Sequence, residues 1–342
     1  MPHRSTRNRT RGRARSRTRP GLLALVTAAL LLGTGCEAPL QPESRRETAA
    51  TPSPTASESA SDSPGRASPS APPSIEVPEG LEQDARDRVR RQAERRARSG
   101  PVLGGDISWP QCPRGLGIPE RRTLGLPLPP PEAEYVVIGL TNGPSFTANP
   151  CLADQVGWAR QRGLPTSAYV VLSGPYADTL ARFGGRGPFD AGTEAGRLAN
   201  LGHAQARYAL GVMRRAGLET PFVWLDVEPV PAFEWSDDPA ANAQVVRGAA
   251  RAWTDAGFGI GVYSTASLWA GVVGDLELGL PEWRAAGETS RAEALRRCGP
   301  ASRIQGGPAV MGQWLQDSRD HDVTCPGAAA DLGRYFHDPG VR

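Results

Sequence analysis

From residue 101 onward, short apolar runs alternate with longer stretches in which apolar residues recur at helical spacing. Residues 104–108, 135–140, 167–172, 222–227, 259–264 and 310–315 have the length and the β-branched or aromatic content of buried strands, and a weaker run lies near Trp283. Between them, residues 152–162, 192–216 and 240–256 are amphipathic and predict helices. Strands that alternate with helices in this way pair in parallel, and so many units in about 240 residues favour a closed (β/α) barrel over an open sheet. Not all eight helices of a regular barrel are recognisable. The expected fold is therefore α/β, an irregular TIM-like barrel over residues 101–342.

The run Phe222-Val223-Trp224-Leu225-Asp226-Val227-Glu228-Pro229 carries the most distinctive pattern. Strand side chains alternate between faces, so Val223, Leu225 and Val227 point one way and Trp224, Asp226 and Glu228 the other. Two carboxylates with Cα atoms about 6.5 Å apart can act on one substrate bond. Unequal surroundings then push their acidities apart, leaving one a proton donor and the other ionised. Pro229 ends the strand, which places the pair at its carboxyl end, where parallel α/β folds build their sites.

The first hundred residues follow another pattern. A basic segment, 1–20, precedes a mostly apolar segment, 21–33, followed by Thr34, Gly35 and Cys36. This is a secretory signal, too short for a comfortable membrane span. Small residues before Cys36 resemble the lipobox of bacterial lipoproteins, although Gly33 stands where Leu is usual. Lipidation of Cys36, and with it a membrane anchor, is the expectation; ordinary cleavage or an uncleaved anchor are the alternatives. An exported protein follows, at the outer face of the cytoplasmic membrane or in the cell wall or medium. Residues 37–100 form a Ser/Pro/Arg-rich linker, too poor in large apolar side chains over 37–74 to offset ordering entropy, with a solvated charged helix expected over 79–98. All 39 basic residues are Arg, which reads first as coding bias of GC-rich DNA. The formal charge of +3 hides an Arg-crowded front and a mildly acidic remainder, so no nucleic-acid partner is expected.

Setting Cys36 aside, Cys112, Cys151, Cys298 and Cys325 form an even set in an exported domain and argue for two disulfides. Three connectivities are open. Cys112–Cys151 is favoured because both follow the carboxyl ends of the first two strands, which leaves Cys298–Cys325. No CxxC and no His ligand spacing supports zinc, and Asp237-Asp238 lacks the oxygen-rich spacing of a calcium loop. His203, inside a long helical stretch, reads as structural.

Several motifs in order resemble glycoside hydrolase family 25 lysozymes. Asp106-Ile107-Ser108-Trp109-Pro110-Gln111 resembles that family's opening Asp-x-Ser-x-x-Gln, and Leu140-Thr141-Asn142-Gly143 its Thr-Glu-Gly. Asp226-Val227-Glu228 matches its Asp-x-Glu, Gly261-Val262-Tyr263-Ser264 resembles its fifth strand, and Gln313-Trp314 its Trp-Gln-Tyr. Asp331-Leu332-Gly333-Arg334-Tyr335-Phe336 resembles its closing Asp-Leu-Asn-x-Phe. The resemblance implies an irregular barrel that cleaves peptidoglycan glycan between N-acetylmuramic acid and N-acetylglucosamine, without metal or cofactor. It implies Glu228 as general acid, Asp226 as the group that orients the substrate acetamido or a water, and Asp106 and Asp331 as completing the acidic cluster. Trp109, Gln111, Tyr169, Trp224, Tyr263, Gln313 and Trp314 would contact sugar, and a monomer is expected.

The departures matter as well. Asn142 replaces an acid, Tyr169-Val170-Val171 replaces an aromatic-His-aromatic end, and Gly333 replaces Asn. They leave room for a non-catalytic glycan-binding lipoprotein on the same fold, or for a glycosidase of another wall polysaccharide. Pyranose faces stack well on indole, but most buried Trp are core, so no more than two of Trp109, Trp224, Trp235, Trp283 and Trp314 are expected to serve as platforms.

Overall fold

The computed structural model of the chain describes residues 100–143 and 145–340, together with Gln83, Arg86 and Arg90. All belong to the unit Pro73–Arg342. The expected signal, Cys36 and the tether lie outside the described residues. Within the charged stretch, Gln83, Arg86 and Arg90 are helical and exposed. Among the described residues no helix is long and apolar enough to cross a membrane.

Eight strands close a barrel: β1 (Leu103–Ile107), β4 (Val136–Gly139), β5 (Thr166–Val171), β6 (Phe222–Asp226), β7 (Gly259–Ser264), β8 (Glu282–Glu288), β9 (Ala309–Gln316) and β10 (Arg319–Thr324). Seven run parallel in sequence order, and β10 is the exception, antiparallel to both β9 and β1. Its polar sequence, Arg-Asp-His-Asp-Val-Thr, hides it from a search for apolar runs. The turn that makes it is explicit: Asp317 and Ser318 both have positive φ, 52° and 57°. A two-residue hairpin of the primed type requires that conformation. A second hairpin, β2 (Gly117–Ile118) with β3 (Arg121–Arg122), takes the place of a helix after β1.

Helices follow only the middle strands: α1 (Leu152–Gln161), α2 (Ala177–Phe183), α3 (Glu194–Ala216), α4 (Pro239–Asp255), α5 (Ala266–Val273) and α6 (Arg291–Arg296), with a short α7 (Leu332–Tyr335) at the end. Side chains of Thr193, Asp238, Thr265 and Ser290 cap α3 to α6 by accepting backbone N–H bonds. Asp238 is thus a cap. The two long helices touch through glycine: a Cβ on Gly202 would lie 1.8 Å from the Val245 carbonyl, and one on Gly248 1.9 Å from that of Ala199. The expected irregular barrel is present, with its helical layer incomplete.

Period-2 alternation divides the barrel into an outer and an inner core. Val223, Leu225 and Val227 join the layer beneath the helices, whereas Phe222 and Trp224 join an interior cluster with Tyr135, Val137, Trp283 and Met311. That cluster is closed at the amino ends of the strands by the chain terminus. Tyr335 stacks on Trp224 at 5.9 Å, Phe336 lies 4.7 Å from the Tyr135 ring, and His337 bridges to Thr166 on β5. Both disulfides have the favoured pairing, Cys112–Cys151 and Cys298–Cys325, each with Cα atoms 5.6 Å apart. The first ties the segment after β1 to the start of α1.

Outside the barrel, β8 carries a buried ion pair. Glu282, fully buried, meets Arg284 at 2.7 Å and accepts backbone N–H bonds from Ile304, Gln305 and Gly307. Arg284 in turn donates to the carbonyls of Arg297 and Gly299. One pair therefore organises the whole 297–307 connection. Replacing Glu282 by Ala strands a buried guanidinium and should cost about 3–5 kcal/mol of stability. Joint replacement of Glu282 and Arg284 by Gln and Met should cost less, and denaturant midpoints of the two variants measure the difference.

Candidate active site

The upper end of the barrel, at the carboxyl ends of the parallel strands, holds a cleft of about 300 Å³ lined by Asp106, Asp226, Glu228, Asp320, Trp109, Arg121, Tyr169, Tyr263, Trp283 and Gln313, among others. Strand β6 ends at Asp226, and Glu228 stands two residues on, on the same inward face. Its backbone is held from both sides. Val227 N–H donates to the Tyr263 carbonyl at 3.1 Å, the Ser264 hydroxyl donates to the Val227 carbonyl at 2.7 Å, and the Trp235 indole N–H donates to the Glu228 carbonyl at 3.0 Å.

Asp106 comes from β1, directly opposite Asp320 on β10, with Gly104 opposite Asp322 one layer lower. The Gln313 amide donates to Asp106 Oδ2 at 2.9 Å and accepts from the Tyr263 hydroxyl at 2.7 Å, so three strands are joined by one relay. Gln111 accepts from Ser108 N–H at 2.8 Å and donates to Asp320 Oδ2 at 3.4 Å. Gln111 acts on the cleft through Asp320. Below them Trp283 donates to Asp322 Oδ1 at 2.8 Å. Asp226 Oδ1, Asp322 Oδ2 and the Tyr135 hydroxyl are buried with no hydrogen-bond partner in the protein. Room for this crowding comes from small residues on neighbouring strands. A Cβ on Gly139 would fall 2.7 Å from the Tyr169 ring, and one on Gly261 2.4 Å from the Trp224 ring.

Burial is the leading cause of every shift in acidity here. It pushes Asp106, Asp226 and Asp322 well above the usual carboxylate range, reinforced for Asp106 by the charges of Asp320 and Asp322 and for Asp226 by Glu228. A hydrogen bond from Gln313 opposes the shift at Asp106, and one from Trp283 opposes it at Asp322. Glu228 and Asp320 are also raised by burial; Arg121 opposes this at Glu228, and the hydrogen bond from Gln111 opposes it at Asp320. Buried like charges oppose one another's ionisation, so the cluster favours keeping protons in the cleft. The cleft can both donate a proton and hold a negative charge. Among the described residues no group of three or more His, Cys, Asp and Glu side chains converges as a metal site would require.

Asp106, Asp226, Glu228, Trp109, Tyr169, Tyr263 and Gln313 thus meet in one cleft, and four candidates do not line it: Gln111, which reaches it only through Asp320, and Asp331, Trp224 and Trp314. Asp331 is exposed, in the terminal segment that closes the opposite end of the barrel. Its expected place in the acidic cluster is taken by Asp320 and Asp322. Trp224 points inward as expected but sits one layer below Asp226, fully buried among aromatic rings. Trp314 is one residue out of phase with inward-facing Gln313, so it faces outward and packs on Ala294, Val323 and His321. Asn142 is fully buried beneath the β2–β3 hairpin, where a Cβ on Gly117 would lie 2.9 Å from its amide, and it does not line the cleft. Two residues absent from the sequence expectation matter most. Asp320 was findable, since Asp320 and Asp322 alternate after a turn. Arg121 carries no local signal.

A family model described as Lysozyme-like protein 1 (Lys-1) matches residues 196–291, the segment that includes Asp226 and Glu228. No curated protein matches the chain. Similar solved structures include a family GH25 lysozyme from Aspergillus fumigatus, 16% identical, covering 69% of this chain and 98% of that one with a TM-score of 0.45. A lysozyme from Streptomyces coelicolor is also 16% identical, with the same coverage and a TM-score of 0.44. The modular autolysin LytC of Streptococcus pneumoniae is 12% identical over 65% of this chain, with a TM-score of 0.40, and the chain spans about half, 46%, of its length. Residues 196–291, and with them the strand that ends in Asp226 and Glu228, are thus similar to a lysozyme-like family.

Proposed function

We propose that the chain is an exported glycoside hydrolase of the muramidase type, cleaving the glycan of peptidoglycan by carboxylate acid catalysis. The observation that carries this reading is Glu228. It is a partly buried carboxyl of raised pKa at the carboxyl end of a barrel strand, facing a cleft shared with Asp226 and Asp106 and walled by aromatic rings. The family-model match over the same strand supports it. In the proposed reaction Glu228 protonates the glycosidic oxygen as the bond to the sugar breaks. The positive charge that develops on the ring is met by the neighbouring carboxylates. Asp226, whose Oδ1 has no protein partner, is left to accept a hydrogen bond from the sugar acetamido N–H or from a water. Asp106, held by Gln313, fixes the shape and charge of the floor. Trp109, Tyr169, Tyr263 and Trp283 offer ring faces or edges to the pyranose.

The departure at Asn142 falls outside the cleft, so it leaves the carboxylates intact and does not favour a binding-only protein. Export through the amino-terminal signal, and a lipid anchor on Cys36 that keeps the barrel near its own cell wall, complete the proposal.

Glu228→Gln should lower release of reducing ends from purified peptidoglycan by about 10²- to 10⁴-fold while leaving the fold unchanged. Reducing N-acetylmuramic acid should be the product terminus. Saturable binding with no new reducing ends from either protein would select the non-catalytic reading instead. Cleavage of another wall polymer alone would select a different glycosidase.

The cluster also has a cost in stability. Carboxyls whose pKa is raised on folding bind protons more tightly in the folded chain than in the unfolded one. The fold therefore loses stability as pH rises from their unfolded values, about 4, through their raised folded values. Asp226→Asn removes one such group. Its melting temperature should exceed that of the unsubstituted chain at pH 8, and the advantage should shrink to nothing near pH 4. An equal effect at both pH values would contradict the assignment of a raised pKa to Asp226.

A further inference from the structure

Among the described residues, Arg121 is the single cation lining a cleft otherwise charged by Asp106, Asp226, Glu228, Glu288 and Asp320. It comes from β3, in the hairpin that replaces a helix, and its placement is tightly constrained. Its guanidinium carbon lies 5.2 Å from the Trp109 ring centroid and 5.8 Å from that of Phe233. Its Cδ presses on Gly143, where a Cβ would fall 2.5 Å away, and Gly143 adopts φ 93°. Rings on two sides and backbone on a third fix the planar group over the cleft. Among the described residues no carboxylate or carbonyl accepts a hydrogen bond from it and none forms a salt bridge with it. Its charge still acts on Glu228 and Asp226, so it stands near the reacting pair without being consumed by it.

A half-buried guanidinium with its donors unspent is built to take a planar anion in bidentate fashion. The muramidase reading, on which this inference rests, supplies one at the right ring. N-acetylmuramic acid carries a lactyl ether on C3, beside the C2 acetamido group assigned to Asp226. In intact peptidoglycan the lactyl carboxyl is locked in an amide with the stem peptide. Hydrolysis of that amide consumes one water and leaves a carboxylate on the glycan and an amine on the peptide. We infer that Arg121 binds this free lactyl carboxylate, making the protein selective for glycan strands already stripped of peptide. The preceding reaction is therefore an amide hydrolysis between lactyl group and peptide. Without Arg121, an anionic sugar would meet only like charge.

The test uses the full chain carrying Glu228→Gln, so that binding is read without turnover. The probes are peptide-free glycan oligosaccharides with lactyl carboxylates intact and the same oligosaccharides with those carboxylates reduced to alcohols. The carboxylate form should bind about 10- to 100-fold more tightly. Adding Arg121→Gln should collapse the ratio to near one, and Arg121→Lys should restore part of it, since charge returns without the fork. In the Glu228-containing chain, peptide-free strands should be cleaved at higher kcat/KM than peptide-bearing strands. Equal binding of the two oligosaccharides, or a ratio that survives Arg121→Gln, would overturn the inference. If Arg121 served only to balance the cluster electrostatically, its substitution would shift the pH profile of cleavage and leave the ratio untouched. Cleavage without carboxylate preference would defeat this inference alone; preference without cleavage by the Glu228-containing chain would defeat the muramidase reading and leave the carboxylate site standing.

Discussion

Five carboxylates, Asp106, Asp226, Glu228, Asp320 and Asp322, share the upper interior of one closed barrel, and their mutual repulsion in a poorly solvated space governs the rest of the structure. Inward-facing positions of a small barrel must be filled by side chains. Here the lower layers are filled by Phe222, Trp224, Tyr135, Tyr335 and Phe336, which seal that end. The upper layer is left to groups that would rather be in water. Amide and indole donors temper three of them: Gln313 on Asp106, Gln111 on Asp320 and Trp283 on Asp322. Asp226 receives no such help at Oδ1.

The same constraint explains why β10 runs against its neighbours. A regular eighth unit would bring a parallel strand through a helix and deliver one carboxyl-end position to the cleft. The primed turn at Asp317-Ser318 instead brings the strand straight back down, so its first residues lie at the cleft. Asp320 and Asp322 are then delivered two residues apart, at two depths, opposite Asp106 and Gly104. The hairpin after β1 solves a comparable problem. With no helix following β1, the segment anchored by Cys112–Cys151 is free to fold over the mouth and carry Arg121 there.

Much of this was legible in the sequence, and the misreadings share a physical cause. Apolar runs marked seven of the eight barrel strands because those strands are buried on at least one face between barrel and helices. They missed β10, whose inward residues are Asp320, Asp322 and Thr324 and whose outward residues include Arg319 and His321. Alternation correctly set Trp224, Asp226 and Glu228 on one face, but period tells face and not depth, so Trp224 was expected in the cleft and lies beneath it. Applied to β9, the same period would have separated Gln313 from Trp314. Asp331 was carried into the cluster by motif order alone, yet the run Leu332 to Phe336 plugs the opposite end, and an Asp at its head belongs there with it. Arg121 was invisible for another reason: its position depends on Trp109, Phe233 and Gly143, contacts spread over more than a hundred residues of chain.

Placing one fixed cation against a cluster of carboxyls has opposing effects. Its positive charge lowers the pKa of Glu228, which leaves the proposed proton donor less fully protonated. A cluster built only to keep Glu228 protonated would do better without Arg121, since burial and the charge of Asp320 already push in that direction. The guanidinium is nevertheless pinned beside the donor by two rings and a glycine, at the expense of its own hydration. An arrangement that lowers the protonated fraction of Glu228 in the empty cleft makes physical sense if the opposing charge is cancelled when substrate arrives. A carboxylate docked on Arg121 would remove its pull on Glu228 and let burial and Asp320 raise its pKa further, so that the proposed donor becomes most fully protonated only once an anionic sugar is in place.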